Sequence, residues 1–285
     1  MKLLISIVTF NRLELLKILV ESLYKQSYKN WDLLIINNSS TDDTSTWLQS
    51  QKDLIIITQE NSGSSGGQFT ALKYARDNNY DAVWAMDDDV NPDPGCLGNL
   101  LKFYNENEVI APLRFDNKGM VFLNETMNFN FSNPLKSMWA RIINEDSIKN
   151  TEVYIEGLTF EGPLIPVKII KTVGLPDKNF FIFGDDSEYF LRCKMNGVKT
   201  KLITSARLNR QLDAPDNKIE FNWKQYYVLR NIIRLDVLYG NFLVRSIRPF
   251  IYLMLNLIRC RKVEHFRISF KSFLDGYFYK QSIEK

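Results

Sequence analysis

Four short apolar runs fall within the first ninety residues, and each ends on a polar cluster. The runs are Leu3–Val8, Leu33–Ile36, "DLIIITQ" (53–59) and "YDAVWAMDDD" (80–89). Their apolar residues are continuous rather than alternating, which fits strands covered on both faces. Between them lie helix-spaced segments. In Arg12–Tyr24 the residues Leu13, Leu16, Leu19, Val20 and Leu23 recur at three- and four-residue steps. Thr44–Gln51 and Thr70–Asn78 read as shorter helices. Strand and helix alternating over short connections predict an α/β domain with a mostly parallel central sheet and helices on both faces.

Ligands of such sheets bind beyond the carboxyl ends of the strands. Four polar clusters lie there: Thr9–Arg12, Asn37–Thr44, Asn61–Gly67 and Asp87–Asp89. The last puts three carboxylates directly after Val83, Trp84 and Met86. If the strand runs through them, Asp87 and Asp89 share one face and Asp88 takes the other. Two carboxylates at a sheet mouth suit Mg²⁺ or Mn²⁺, which could grip a diphosphate leaving group. An acidic turn into "NPDPG" is the structural alternative. "NSGSSGGQF" (61–69) reads as a glycine-rich loop ahead of a helix, open to phosphates or simply flexible. It is neither GxGxxG nor a Walker motif.

Further on, a helix is expected over 96–105, and strands over Val109–Arg114 and Val153–Phe160. "GDDSEYFLR" (184–192) predicts a helix opening on acids, with Glu188 paired to Arg192 and Gly197 at its carboxyl end. Asp185 or Asp186 could serve there as a general base, a role compatible with capping. His265 is the sole histidine and lies far along the chain, so no histidine-based triad or His/Cys zinc cluster can be assembled. Cys96, Cys193 and Cys260 are scattered and suggest no disulfide framework. "MKLLISIVTFNR" has too short an apolar part for a signal peptide and reads as a first strand. With 285 residues and a net charge of +3, the chain is long enough for a sizeable core, and its charge points to no nucleic-acid partner.

After Glu220 the composition changes, and the sequence divides into residues 1–220 and a helical region, 221–285. The latter is rich in apolar residues and arginine, with only Asp236, Glu264, Asp275 and Glu284 in opposition. "FIYLMLNLI" (250–258) is too short to span a bilayer, which takes roughly 20 apolar residues. Two readings stand: a basic amphipathic segment on an anionic membrane surface, or a hairpin packed on the main domain with its arginines solvated.

Together, "SIVTFNR", "INNSSTDDT", "NSGSSGGQFTALKYA", "WAMDDDVNPDP", "GDDSEYFLR" and "YYVLRNIIR" resemble, in content and order, the inverting family 2 glycosyltransferases of GT-A fold. They are most similar to the galactofuranosyltransferase and rhamnosyltransferase branch. The resemblance implies that Thr9, Asn11 and Arg12 line the nucleotide pocket, with Asn37 or Asn38 at the base. Asn61, Gly63, Gly66 and Gly67 would flank the ribose and diphosphate. Asp87 and Asp89 would match the DxD motif and bind the divalent metal, with Asp88 nearer the donor sugar. Asp186, or else Asp185, would activate the acceptor hydroxyl. Trp139, Trp223 and Tyr226 are candidates for stacking on the acceptor. The sequence departs from the family at Asn37, commonly Asp, and at a histidine ligand whose place falls near Asn209 or Arg210. Arginine cannot ligate a cation. The implied reaction moves galactofuranose or another hexose from a UDP-sugar to a lipid-linked saccharide in capsule, O-antigen or cell-wall synthesis. It would run in the cytoplasm at the inner face of the membrane. Alternatives are rhamnosyl transfer from dTDP-rhamnose, a nucleotidyltransferase, and a non-catalytic nucleotide-sugar-binding module. The first-strand loop lacks the glycine that a nucleotidyltransferase needs.

Overall fold

A computed structural model describes residues 1–123, 126–141, 146–213 and 221–284. The first half alternates as expected: β1 (Leu3–Thr9), α1 (Leu13–Tyr24), β2 (Trp31–Asn37), α2 (Thr44–Gln49), β3 (Ile55–Thr58), α3 (Gly63–Asp77) and β4 (Ala82–Asp87). β5 (Val90–Pro92), α4 (Cys96–Leu101) and β6 (Glu108–Phe115) follow. A small ribbon, β7 (Met127–Phe129) with β8 (Trp139–Arg141), leads to β9 (Glu152–Ile155), β10 (Leu164–Pro166), α5 (Val167–Val173), α6 (Asp185–Met195) and β11 (Lys199–Arg210). Three helices close the chain: α7 (Trp223–Tyr239), α8 (Phe242–Arg259) and α9 (Val263–Tyr277).

Among the described residues, nine strands form one sheet in the order β3-β2-β1-β4-β10-β6-β11-β5, with β9 also on β11. β3, β2, β1 and β4 are mutually parallel, as are β6 and β11. β10, β5 and β9 run antiparallel to their neighbours. The apolar runs are continuous because both faces are covered. Leu4 and Val8 pack on the side of α3 and α5, and Leu3, Ile5 and Ile7 on the side of α1 and α4.

Several boundaries depart from the sequence reading. The glycine-rich stretch is not a loop: α3 begins at Gly63, seven residues before the expected start. The fourth strand ends at Asp87, and Asp88 and Asp89 form the turn into β5. Strict strand alternation therefore does not govern the triplet. β11 runs unbroken from Lys199 to Arg210 past a bulge between Ile203 and Arg207, and so carries Asn209 and Arg210 to the sheet edge beside β5. The strand expected over 153–160 stops at Ile155, and the helix over 96–105 stops at Leu101.

The expected division at residue 220 lies outside the described residues. No helix among the described residues is long and apolar enough to cross a membrane. The arginines beyond it are not all solvated: Arg230, Arg234 and Arg248 are buried. Arg248, 1% exposed, donates two hydrogen bonds through Nε and one through Nη2 to Asp236, which is 0% exposed. It also donates to the carbonyls of Asn130 and Lys136, tying α8 to the ribbon region. Burial pushes the Asp236 carboxyl up to about 6, with Arg248 opposing the shift. Removing one member of such a pair strands a buried charge. Arg248→Met should lower stability by about 3–5 kcal/mol in urea unfolding, and adding Asp236→Leu should restore part of it. A loss below about 1 kcal/mol would reduce the pair to the worth of a surface contact.

Candidate active site

A cleft of about 510 Å³ opens at the carboxyl edge of the parallel strands, a size suited to a small-molecule ligand. β1 delivers Thr9, and its loop delivers Arg12. β4 and its turn deliver Asp87, Asp88 and Asp89. Asn38, Asn61 and Gly63 line another wall, and Asp185 and Asp186 enter from the start of α6. Ten of the predicted site residues thus meet in one place. Trp223, a candidate for acceptor stacking, stands at the rim.

Four predicted residues do not line the cleft. Asn11, with φ of 55°, accepts from Thr41 N through Oδ1 at 2.6 Å and so braces the loop after β2. Asn37 accepts from Ser40 N and donates to Ser45 Oγ, each at 3.0 Å. Gly66 and Gly67 have no room for a Cβ. A Cβ on Gly67 would lie 2.3 Å from Val8 Cγ1, and one on Gly66 would lie 2.1 Å from Ser62 Oγ. Gly67 thus lets α3 settle against β1, whereas Gly66 leaves room for the Ser62 side chain at the start of its own helix. Trp139 pairs with Phe129 in the ribbon, and Tyr226 donates to Asp275; neither lines the cleft.

The electrostatics centre on crowded carboxylates. Asp87 is pushed well above the usual range by burial and by Asp89, Asp88, Glu161 and Asp185. Gln68 Nε2 donates to its Oδ1 at 3.1 Å. Burial pushes Asp88 up to about 6, against the pull of Arg12 and a hydrogen bond from Thr9 Oγ1 at 2.7 Å. Arg12 Nη1 bridges Asp88 Oδ1 at 3.1 Å and Asp89 Oδ2 at 2.9 Å. Asp185 is also pushed up to about 6 by burial, and its Oδ2 is buried with no hydrogen-bond partner. Asp186 is less buried and accepts from Ser187 N at 2.6 Å.

Glu161, which the sequence reading missed, also lines the cleft. It pairs with Arg114 at 2.6 Å and with Arg210 at 3.2 Å. Burial and the Glu161 charge push Asp89 upward, and Arg210 joins Arg12 in opposing that shift. Of the two candidates near the absent histidine it is therefore Arg210 that reaches the acids. Asn209 turns its amide to Asn91 O and Asp93 instead. The one signal for Glu161 in the sequence is a lone acid inside the otherwise uncharged "LTFEGPLI" (158–165), and that signal is weak.

The acids at the start of α6 follow a strained turn. Phe181, Phe183 and Gly184 have φ of 67°, 63° and 81°. One amide spans it: Asn231 Nδ2 donates to the carbonyls of Phe180, Ile182 and Phe183 at 2.9, 2.7 and 2.7 Å. Arg230 Nη2 adds a hydrogen bond to Phe180 O at 2.7 Å. The "RN" of "YYVLRNIIR" is therefore a backbone clamp. Gly63 fits beneath it, since a Cβ there would lie 2.0 Å from Phe181 O.

The donor set fits a divalent cation in one respect. Carboxylate oxygens suit Mg²⁺ or Mn²⁺, and Mg²⁺ commonly takes one or two carboxylates plus substrate phosphates and water. Among the described residues, no group of three His, Cys, Asp or Glu side chains forms a metal cage.

The sequence model described as glycosyl transferase family 2 matches residues 4–159. Galactofuranosyltransferase GlfT1 of Mycolicibacterium smegmatis is 24% identical over 202 residues, 67% of this chain and 65% of that protein. The solved structure of GalNAc-T7 with UDP, GalNAc and Mn²⁺ is similar with a TM-score of 0.62 at 13% identity, over 83% of this chain and 48% of that one. S. aureus TarS 1-349 in complex with UDP-GlcNAc gives 0.58 at 14% identity, over 97% and 82%. The chain thus spans less than two thirds of GlfT1 and about half of GalNAc-T7. The structural likeness, at these identities, is one of fold.

Replacing Asn231 by leucine keeps its bulk and removes the three donations. Stability should fall by about 2–4 kcal/mol, measured by urea unfolding. A change below about 0.5 kcal/mol would show that the turn holds without its clamp.

Proposed function

The chain belongs to glycosyl transferase family 2, and from that premise we propose that it moves a hexosyl group from a UDP-sugar to a hydroxyl of a lipid-linked saccharide, with inversion, in surface-polysaccharide synthesis on the cytoplasmic side of the membrane. One observation carries the reading. The triplet, the acids of α6 and the amino end of α3 face a single cleft at the carboxyl edge of the sheet. The similarity to GlfT1 favours galactofuranose as the sugar.

In this reading the first turn of α3 and Asn61 face the diphosphate, where a helix amino end favours anions. Thr9 and Asn38 shape the nucleoside side. A divalent cation held by Asp87 and Asp89 would neutralise the diphosphate as a leaving group. Arg12 and Arg210 keep the remaining acids charge-balanced. Glu188, the third acid in the first turn of α6, has no part in this because it is committed to Arg192. Asp186 takes the proton of the acceptor hydroxyl as its oxygen attacks the anomeric carbon from the side opposite the nucleotide. Asp185, more deeply buried beside it, disfavours charge at its own oxygens and leaves Asp186 as the more accessible base.

Two measurements test this. Calorimetric titration of UDP should show binding that needs Mn²⁺ and is lost in Asp89→Ala; binding indifferent to both would remove the metal from the reading. Asp186→Asn should cut transfer about 10²–10⁴-fold with UDP affinity unchanged. Full activity in that variant would dismiss it as the base, and faster turnover of dTDP-rhamnose than of UDP-hexoses would replace the donor.

A further inference from the structure

The last two helices are amphipathic in the reverse sense. A helix packed on a domain ordinarily turns its apolar side inward. α8 instead buries Val244, Arg248, Pro249, Leu253 and Asn256. It leaves Leu243, Ile247, Phe250, Met254 and Ile258 exposed. These five recur at four- and three-residue steps and so form one stripe. α9 repeats the arrangement. Ser269, Ser272, Phe273 and Gly276 are buried, while Val263, Phe266, Phe270 and Leu274 are exposed. Ile258 is 77% exposed and Val263 85%.

Both helices rest on α7 through a cluster of Leu229, Ile233, Leu253 and Phe273, so both stripes face away from it. The Phe250 ring lies 5.0 Å from that of Phe273 and 5.7 Å from that of Tyr277, so the α8 stripe borders α9 across the hairpin. A continuous patch of large apolar side chains differs from the isolated ones of an ordinary surface.

Its surroundings are cationic. Arg259, Arg261, Lys262, Arg267 and Lys271 are all exposed. Of the acids on α8 and α9, Glu264 alone is exposed, and Asp275 accepts from Tyr226.

We propose that this face seats on an anionic lipid bilayer, with the two stripes at the acyl boundary and the five cations among the headgroup phosphates. Neither helix is long and apolar enough to cross, so the hairpin lies in the interface. Charge selects this occupant over a second copy of the chain, whose patch would bring an equally cationic rim against this one. α7 joins the face to the cleft: its first residues, Trp223 and Lys224, line the rim. This inference concerns a different surface from the cleft and stands or falls apart from the donor reading.

The test is co-sedimentation of the full chain with vesicles of phosphatidylcholine alone and of phosphatidylcholine with phosphatidylglycerol. Binding should be at least about tenfold tighter to the anionic vesicles. Arg261→Glu with Lys262→Glu should weaken it by about tenfold or more. Met254→Glu with Phe270→Glu should abolish it. UDP titration and circular dichroism of the same variants check that the domain remains folded. Anionic binding unchanged in the stripe variant, or equal binding to both vesicles, would overturn the proposal. So would a wild-type dimer in sedimentation velocity that dissociates in the stripe variant, since the face would then belong to a second copy.

Discussion

Carboxylates from three separate stretches of chain share one partly buried space, and the rest of the fold is arranged around that repulsion. Asp87, Asp88 and Asp89 leave β4 together, Glu161 comes from the segment before β10, and Asp185 opens α6. Burial disfavours the charged form of a carboxyl group, and neighbouring acids add to the penalty. The structure answers with cations from elements remote in sequence: Arg12, just before α1, against Asp88 and Asp89, and Arg210, at the end of β11, against Glu161. Delivering Arg210 requires β11 to run its full length. There it pairs with β5 immediately after the triplet, with Arg210 opposite Val90. Gln211 extends the same tie, its N donating to Asp89 O and its Nε2 to Val90 O, both at 2.8 Å. This antiparallel pairing at the sheet edge is thus what holds the acidic turn in place.

A second constraint is conformational. Phe181, Phe183 and Gly184, just before Asp185, occupy positive-φ regions that side-chain-bearing residues seldom adopt. Such a turn persists only where its surroundings over-determine it. Asn231 and Arg230 do so from α7, Ser65 from α3, where its N donates to Phe181 O at 3.1 Å, and Tyr227 by stacking on Phe181 at 4.8 Å. The helical region is consequently part of the site's framework.

Much of this was legible in the sequence because it is local. Continuous apolar runs mark strands buried on both faces, and the polar ends of those runs mark the carboxyl edge, so the triplet could be placed there; the acids of α6 follow no such strand, and only the family resemblance joined them to it. What was not legible depends on distant partners. The glycine-rich stretch reads as a loop, and only Val8 against Gly67 shows why α3 needs a glycine where it meets β1. Arg210 stands near the place of an absent histidine, but its pairing with Glu161 joins residues far apart in the chain through the sheet. Asn37 sits where a base contact is common, yet its amide is spent on Ser40 and Ser45. The arginines of the last helices read as one set, either on a membrane surface or solvated, whereas Arg230 clamps a turn and Arg248 neutralises Asp236.

The reversed helices follow from the same close packing. α9 lies so near α7 that a Cβ on Gly276 would meet Arg230 O at 2.6 Å and Ile233 Cβ at 3.0 Å. At that point of closest approach the facing position must be small, and Gly276 fills it, with Phe273 packed beside Ile233 and Leu229. Large apolar residues have little room there, and most lie on the opposite side. α7 needs this tight support because it carries the clamp: a looser α9 would let Arg230 and Asn231 drift from the carbonyls they hold. The apolar outer face is therefore the other side of a packing solution that the acidic turn imposes, and it gives that face a reason to exist before any surface is brought against it.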